Sequence, residues 1–261
     1  MDALGPAYGC PMAPDVQQQC AAVAAWASAV LRGVVSLDAA IDALRSLSIA
    51  VGFQSPDDVR PQPLALAVGG WRSRGIDGWR FVPVAAGDSG GLPGPPGLFA
   101  KAMDVGAAIV SLSGPPVALV PTCSEPAEML LEEMPCSGRG TAPPESLTEL
   151  DQQLLATVTE VTELFDRLEV AEWRDEVLDL LRTWDDLPPI PPGTPVRAQR
   201  LAARGGRLMR LVDLATADDG GSRTASEMSQ RSEQLRRLAR VARAAQAAGW
   251  NAAAMSAGAP G

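Results

Sequence analysis

Apolar residues recur along this chain with two different periods. After an irregular start over residues 1–14, Asp15 precedes an Ala-, Val- and Trp-containing run over residues 16–31, and its carboxylate can accept from the first unpaired N–H groups of a helix there. Ser36 can cap a second helix over residues 37–47, with Leu37, Ile41 and Leu44 on one stripe. The texture then changes. Short apolar runs at 49–53, 64–68, 79–84, 108–112 and 117–120 are separated by Pro, Gly and Asp clusters, which predicts strands joined by turns. Residues 98–105 read as one short helix, and Ser113-Gly114-Pro115-Pro116 as a tight connection. A mixed or antiparallel sheet of about five strands, with helices on one face, follows from this order. Residues 121–145 read as a loop-rich bridge, with at most a helical turn or two within 125–134.

Period 3.6 returns in the last third. Ser146 and Glu149 form a capping box, and Leu147, Leu150, Leu154, Val158, Val161, Phe165 and Leu168 follow at spacings of three and four. Trp173, Val177, Leu180 and Trp184 mark a second helix that stops before Pro188. Leu201, Leu208, Leu211 and Val212 mark a third over 196–217. Thr224 and Glu227 open a fourth with Met228, Leu235, Leu238, Ala242 and Ala245. The pattern predicts an α+β fold. An N-terminal helix pair with a small mixed or antiparallel sheet occupies 1–121, and a Pro/Gly-rich linker spans 122–145. An antiparallel four-helix bundle fills 146–250, and 251–261 form a disordered tail.

Composition narrows the chemistry more than it identifies it. The 261 residues contain no histidine, which removes Ser-His, Cys-His and His-metal mechanisms. A net charge of −9 argues against nucleic acid as a partner. That charge is segregated: residues 1–195 carry 11 basic and 26 acidic residues, residues 196–261 carry 11 and 5. The simplest reading is mutual neutralisation within the bundle. Cys10, Cys20, Cys123 and Cys136 include no close pair of the kind a zinc site uses, so no metal or other cofactor is expected. The start of the chain lacks a basic, signal-like segment, and no apolar run is long enough to span a bilayer, so a cytoplasmic protein with no membrane association is expected.

Several motifs can be weighed directly. Gly87-Asp88-Ser89-Gly90-Gly91 matches the letters around the nucleophile of trypsin-like proteases, but without an imidazole it reads as a turn. Lys101, the sole lysine, lacks the S-x-x-K spacing for a Ser-Lys dyad with Ser89. The glycine loop that continues to Gly97 is too rich in proline for a phosphate nest. Asp57-Asp58, Asp185-Asp186 and Asp218-Asp219 fit capping and turn positions rather than metal ligation. Two surfaces stand out instead. Trp71, Arg72, Arg74, Trp79 and Arg80 crowd a presumed hairpin around Gly75-Ile76-Asp77-Gly78, where aromatics and guanidiniums suit a carboxylate or aromatic ligand. Arg236, Arg240 and Arg243 share one face of the last helix, with Arg237 spaced to pair with Glu233.

The segments from Gly90 to Gly106 and from Ala107 to Pro121, together with Leu208 to Gly221, resemble actinobacterial conserved proteins of unassigned function. That resemblance implies a bacterial cytoplasmic protein and brings no catalytic residue with it. The expected function is a non-enzymatic protein-interaction or regulatory module, with a protein partner or self-association. The alternative is a small-molecule binding protein or a histidine-independent carboxylate enzyme, sited where the hairpin meets the glycine loop.

Overall fold

The computed structural model describes residues 15–46, 50–56, 58, 60–125, 128–140, 146–167, 189–216 and 225–256. Helix α1 (Asp15–Leu31) is buried over residues 20–30, the outcome expected when a helix is apolar on every side. Its alanines keep it thin enough to lie between the sheet and the C-terminal helices. Helix α2 (Leu37–Arg45) follows, and Ser36 Oγ accepts from Ala39 N–H as its cap.

Strand β1 (Ala50–Gln54) leads to helix α3 (Leu64–Ser73), where a strand was expected over 64–68. The buried residues there are Leu64, Ala67, Val68 and Trp71, spaced at three and four, while Leu66 stays exposed. Helical periodicity, extended by Trp71, outweighs the short apolar run. Consequently the segment around Gly75 is a helix-to-strand turn and not a hairpin. Strand β2 (Trp79–Pro83), helix α4 (Pro96–Val105) and strand β3 (Ala107–Ser111) follow as expected, and strand β4 (Val117–Glu125) begins where expected but runs past 120 into the stretch read as a loop-rich bridge, because β5 pairs with it there.

The fifth strand is β5 (Glu128–Pro135), inside the stretch read as linker and possible helical turns. The sheet order is β1-β5-β4-β3-β2, with β1 parallel to β5 and every other pair antiparallel. Glu, Leu and Met favour helices intrinsically, but here an inward alternation of Met129, Leu131 and Glu133 places the segment between β1 and β4.

Helices cover both faces of the sheet, not one. Trp79, Phe81, Ile109, Leu119 and Leu131 face α1 and α3. Val82, Ala108, Val110, Ala118 and Val120 face Leu98 and Ala102 of α4.

Three helices complete the described chain: α5 (Leu147–Arg167), α6 (Val196–Thr216) and α7 (Ala225–Ser256). The Ser146–Glu149 capping box forms in both directions, at 2.8 and 3.2 Å. Leu150 and Leu154 meet Leu201, Ala242 and Ala245; Val161 meets Val212, Leu235 and Leu238. Helices α5 and α6 therefore run the same way and α7 runs against both. Met228 is exposed rather than part of this core. The expected helix bearing Trp173, Val177, Leu180 and Trp184 lies outside the described residues, as do Thr224 and Leu168 and the side chains of Phe165 and Glu227.

Helix α7 continues through 251–256, expected as tail, and buries Trp250, Ala253 and Ala254. Trp250 and Ala253 join the same core as α1 and the sheet. Strand β2 is the sheet's far edge, and side chains close it. Asn251 accepts from Phe81 N–H at 2.8 Å and donates to Phe81 C=O at 2.9 Å. Ser28 Oγ accepts from Trp79 N–H at 2.8 Å. The edge that could pair with another strand is thus occupied by α7 and α1.

Candidate binding groove

The arginine- and tryptophan-rich segment is split three ways by the fold. Trp71, on the inner face of α3, packs edge-on against Phe53 at 5.0 Å and Trp79 at 4.8 Å. Arg74, at the C-cap of α3, lays its guanidinium fork on Glu133 of β5, with Nη1–Oε1 at 2.5 Å and Nη2–Oε2 at 2.7 Å. That charge-assisted bond raises the Arg74 pKa further. Arg72 instead caps α1 by donating to Val30 C=O at 2.7 Å. Trp79 is fully buried, and its Nε1 has no hydrogen-bond partner among the described residues. Arg80 projects to the opposite face of the sheet, beside the α4 layer, because it alternates with Trp79 and Phe81.

Trp71 and Arg74 are therefore the two members of that set that share a site. They line a groove of about 320 Å³ between α3 and the β1–β5 side of the sheet. Phe53 and Trp71 form an aromatic wall, Leu66, Ala67 and Gly70 an apolar one, and Gln54, Gln62 and Asp58 supply polar groups. Sequence reasoning missed Glu133, Phe53 and Asp58. The signal for Glu133 was the inward alternation of β5, masked by its helix-favouring composition. Arg74 is already neutralised by Glu133, and Asp58 adds a negative charge, so the lining carries a net −1 and does not suit the carboxylate ligand expected here.

The arginine face of α7 is likewise divided. Arg236 and Arg240 are exposed, and Arg236 Nε donates to Ser232 C=O within its own helix. Arg243 turns inward, with 13% of its side chain exposed and Asp88 at 3.8 Å. Desolvation lowers its pKa, while Asp88 and Asp213 act in the other direction. Arg237 pairs with Glu160 of α5 at 2.6 Å rather than with Glu233, and Arg204 of α6 pairs with Asp151 of α5 at 2.7 Å. Acids of α5 thus meet arginines of α6 and α7, as mutual neutralisation requires.

The serine-protease-like letters form a turn in which Asp88 Oδ1 accepts from Gly90 N–H and Ala85 bridges to Asp88. Lys101 Nζ is held by both oxygens of Glu132, at 3.0 and 2.8 Å, so it is not placed as a base for Ser89. Among the described residues no three His, Cys, Asp or Glu side chains converge as metal ligands. None of the described helices is long and apolar enough to cross a membrane.

Comparison with protein families fits this division of the chain. Residues 20–146 match the N-terminal domain of Rv1486c-like proteins, and residues 148–247 match their C-terminal domain. The chain belongs to the Rv1486c-like family. The sheet with α1–α4 corresponds to the first family domain, and α5, α6 and most of α7 to the second. No curated protein and no solved structure matches the chain.

Proposed function

We propose that this Rv1486c-like protein is a non-enzymatic binding protein that holds a small neutral or cationic compound in the groove between α3 and β5. The observation that carries this reading is the Arg74–Glu133 fork. It fixes a polar anchor beside the Phe53–Trp71 wall without leaving either charge free for chemistry. The groove's volume lies within the ~300–1,000 Å³ common for ligand sites, and its mix of a flat aromatic wall with a few fixed polar groups is typical of them. A net −1 lining favours compounds with N–H donors or a positive charge.

Gly70 provides the test. It lines the groove, and a Cβ added there meets nothing within 4 Å, so Gly70→Phe fills the space without disturbing the helix. A thermal-shift screen of small aromatic amines should return compounds that raise the melting temperature of the natural protein and not of Gly70→Phe. A screen with no hits, or hits that stabilise both proteins equally, would contradict the reading.

A protein-partner function is the second reading, favoured by one observation. Arg236 and Arg240 are exposed on α7 with no carboxylate beside either among the described residues. Charge reversal at both should then abolish capture of an acidic partner while thermal stability is unchanged; an unchanged partner profile would remove this reading.

A further inference from the structure

Arg80 is the buried cation that the fold leaves without a counter-charge. It is 6% exposed, its neighbours on that face of the sheet are Val82, Val110 and Ala118, and among the described residues its side chain makes one hydrogen bond, from Nη2 to Arg139 C=O at 3.1 Å. Arg74 has Glu133 and Arg243 has Asp88 and Asp213, but no carboxylate approaches Arg80 among the described residues. Burying a guanidinium without an anion is costly, and a single backbone carbonyl does not offset it. A neutral donor would hold that carbonyl equally well.

The surroundings are shaped around the guanidinium. Gly140 sits over it at φ +66°, where a Cβ would stand 2.8 Å from Nη2 and 2.3 Å from Gly91 C=O. Pro93 closes a third side, 3.0 Å from the same point. Gly140 therefore packs directly against the fork, where a side chain has no room. The nitrogens of Arg80 that make no hydrogen bond are not sealed from solvent, unlike Nε of Arg243.

We propose that Arg80, beneath Gly91, Pro93 and Gly140, binds a small oxyanion, either a carboxylate or a phosphate group, as a site separate from the α3–β5 groove. A planar fork with free donors takes two oxygens of either group side by side, and the apolar layer around it strengthens the attraction. Gly91, Pro93 and Gly140 close the side over Nη2, so the ligand meets the fork at the nitrogens that are not sealed from solvent.

Thermal melts of the full chain, with chloride exchanged for phosphate or for formate at constant ionic strength, test the site. The natural protein should melt at progressively higher temperature as the oxyanion concentration rises, following saturable linkage. Arg80→Met should show no such response and should melt no lower than the natural protein in chloride, because it removes an uncompensated charge. A response to phosphate alone identifies a phosphate site, and one to formate alone a carboxylate site. Three results would overturn the proposal: no response in the natural protein to either anion, an equal response in Arg80→Met, or an Arg80→Met protein that melts well below the natural one in chloride. Where Arg80→Met does not fold, isothermal titration of the natural protein with phosphate and with formate decides: saturable heat with either supports the site, and its absence with both refutes it.

Discussion

Replacing Asn251 with alanine isolates the contact that joins α7 to the edge of the sheet. The amide makes two hydrogen bonds to one residue, accepting from Phe81 N–H and donating to Phe81 C=O. Alanine leaves both backbone groups without a partner at a half-buried position beside Trp250, which is fully enclosed. Net loss per hydrogen bond is ~0.5–1.5 kcal/mol, and each group stranded away from water costs ~1–3 kcal/mol. Because the vacated Asn251 position is only half-buried and admits some water, Asn251→Ala should destabilise by about 2–3 kcal/mol. Asn251→Asp can still accept from Phe81 N–H but sets a carboxylate oxygen against Phe81 C=O, so it should be no better than alanine. Equilibrium urea unfolding followed by tryptophan fluorescence measures both, since Trp79 and Trp250 flank the contact. A loss below about 0.5 kcal/mol for Asn251→Ala would mean that water or backbone adjustment satisfies Phe81, and the edge-capping account would fail.

Two further outcomes follow from close packing and from charge. Gly205 of α6 abuts α7 so closely that a Cβ would lie 2.5 Å from Gln246 N and 2.6 Å from Ala242 O, so Gly205→Ala should destabilise although alanine normally gains ~1 kcal/mol in a helix. Gly69→Ala in α3, where nothing lies within 4 Å of the added Cβ, should show the ordinary gain; chemical denaturation that ranks the two alike would refute the packing claim. The Glu149 carboxylate is held below its usual range by bonds to Ser146 N–H and Oγ. A depressed folded-state pKa stabilises above the ordinary Glu value of about 4.3 and fades as pH falls through the folded value, so Glu149→Gln should flatten the acid limb of α5 stability, and an unchanged pH profile would count against the capping box.

What could be read from the chain and what could not divide along a physical line. Signals confined to a few residues came through: the Ser36 cap, the Ser146–Glu149 box, the α5 stripe and the strands at Trp79, Ala107 and Val117 all lie where local pattern put them. The residues 64–68 and 128–135 were misassigned for opposite reasons. The first run is short and apolar, and its helical period shows only once Trp71 is counted. The second is rich in helix formers and becomes a strand because β1 and β4 supply partners on both sides. Of the site, Trp71 and Arg74 were legible as an aromatic–arginine cluster. Glu133 was not, since its pairing with Arg74 spans 59 positions, and no local pattern encodes that distance. Arg80 was legible as a member of the same cluster, but its lack of a counter-charge was not, because period 2 in β2 assigns it a face without saying whether an acid waits there.

The two family domains meet at residues 146–148 in sequence, yet they do not meet as two finished cores. Trp250 and Ala253 of α7 and Ala202 of α6 lie in the same cluster as Val23, Trp71 and Trp79. The sheet's open edge is closed at Phe81 by Asn251, the chain's one asparagine. Arg32, just past the end of α1, donates to the carbonyls of Ala254 and Met255 at 2.6 and 2.9 Å and so caps the far end of α7. The sheet layer therefore depends on the C-terminal end of α7, beyond the residues matched to the second family domain, for an edge cover and part of its core, while α7 depends on Arg32 for a cap. Trp250, 1% exposed, contributes its whole indole to that shared core. That dependence accounts for the course of α7 beyond residue 250: this stretch carries the carbonyls that Arg32 caps, the edge amide and the final buried alanines, and a tail there would leave the Phe81 backbone without its side-chain cover.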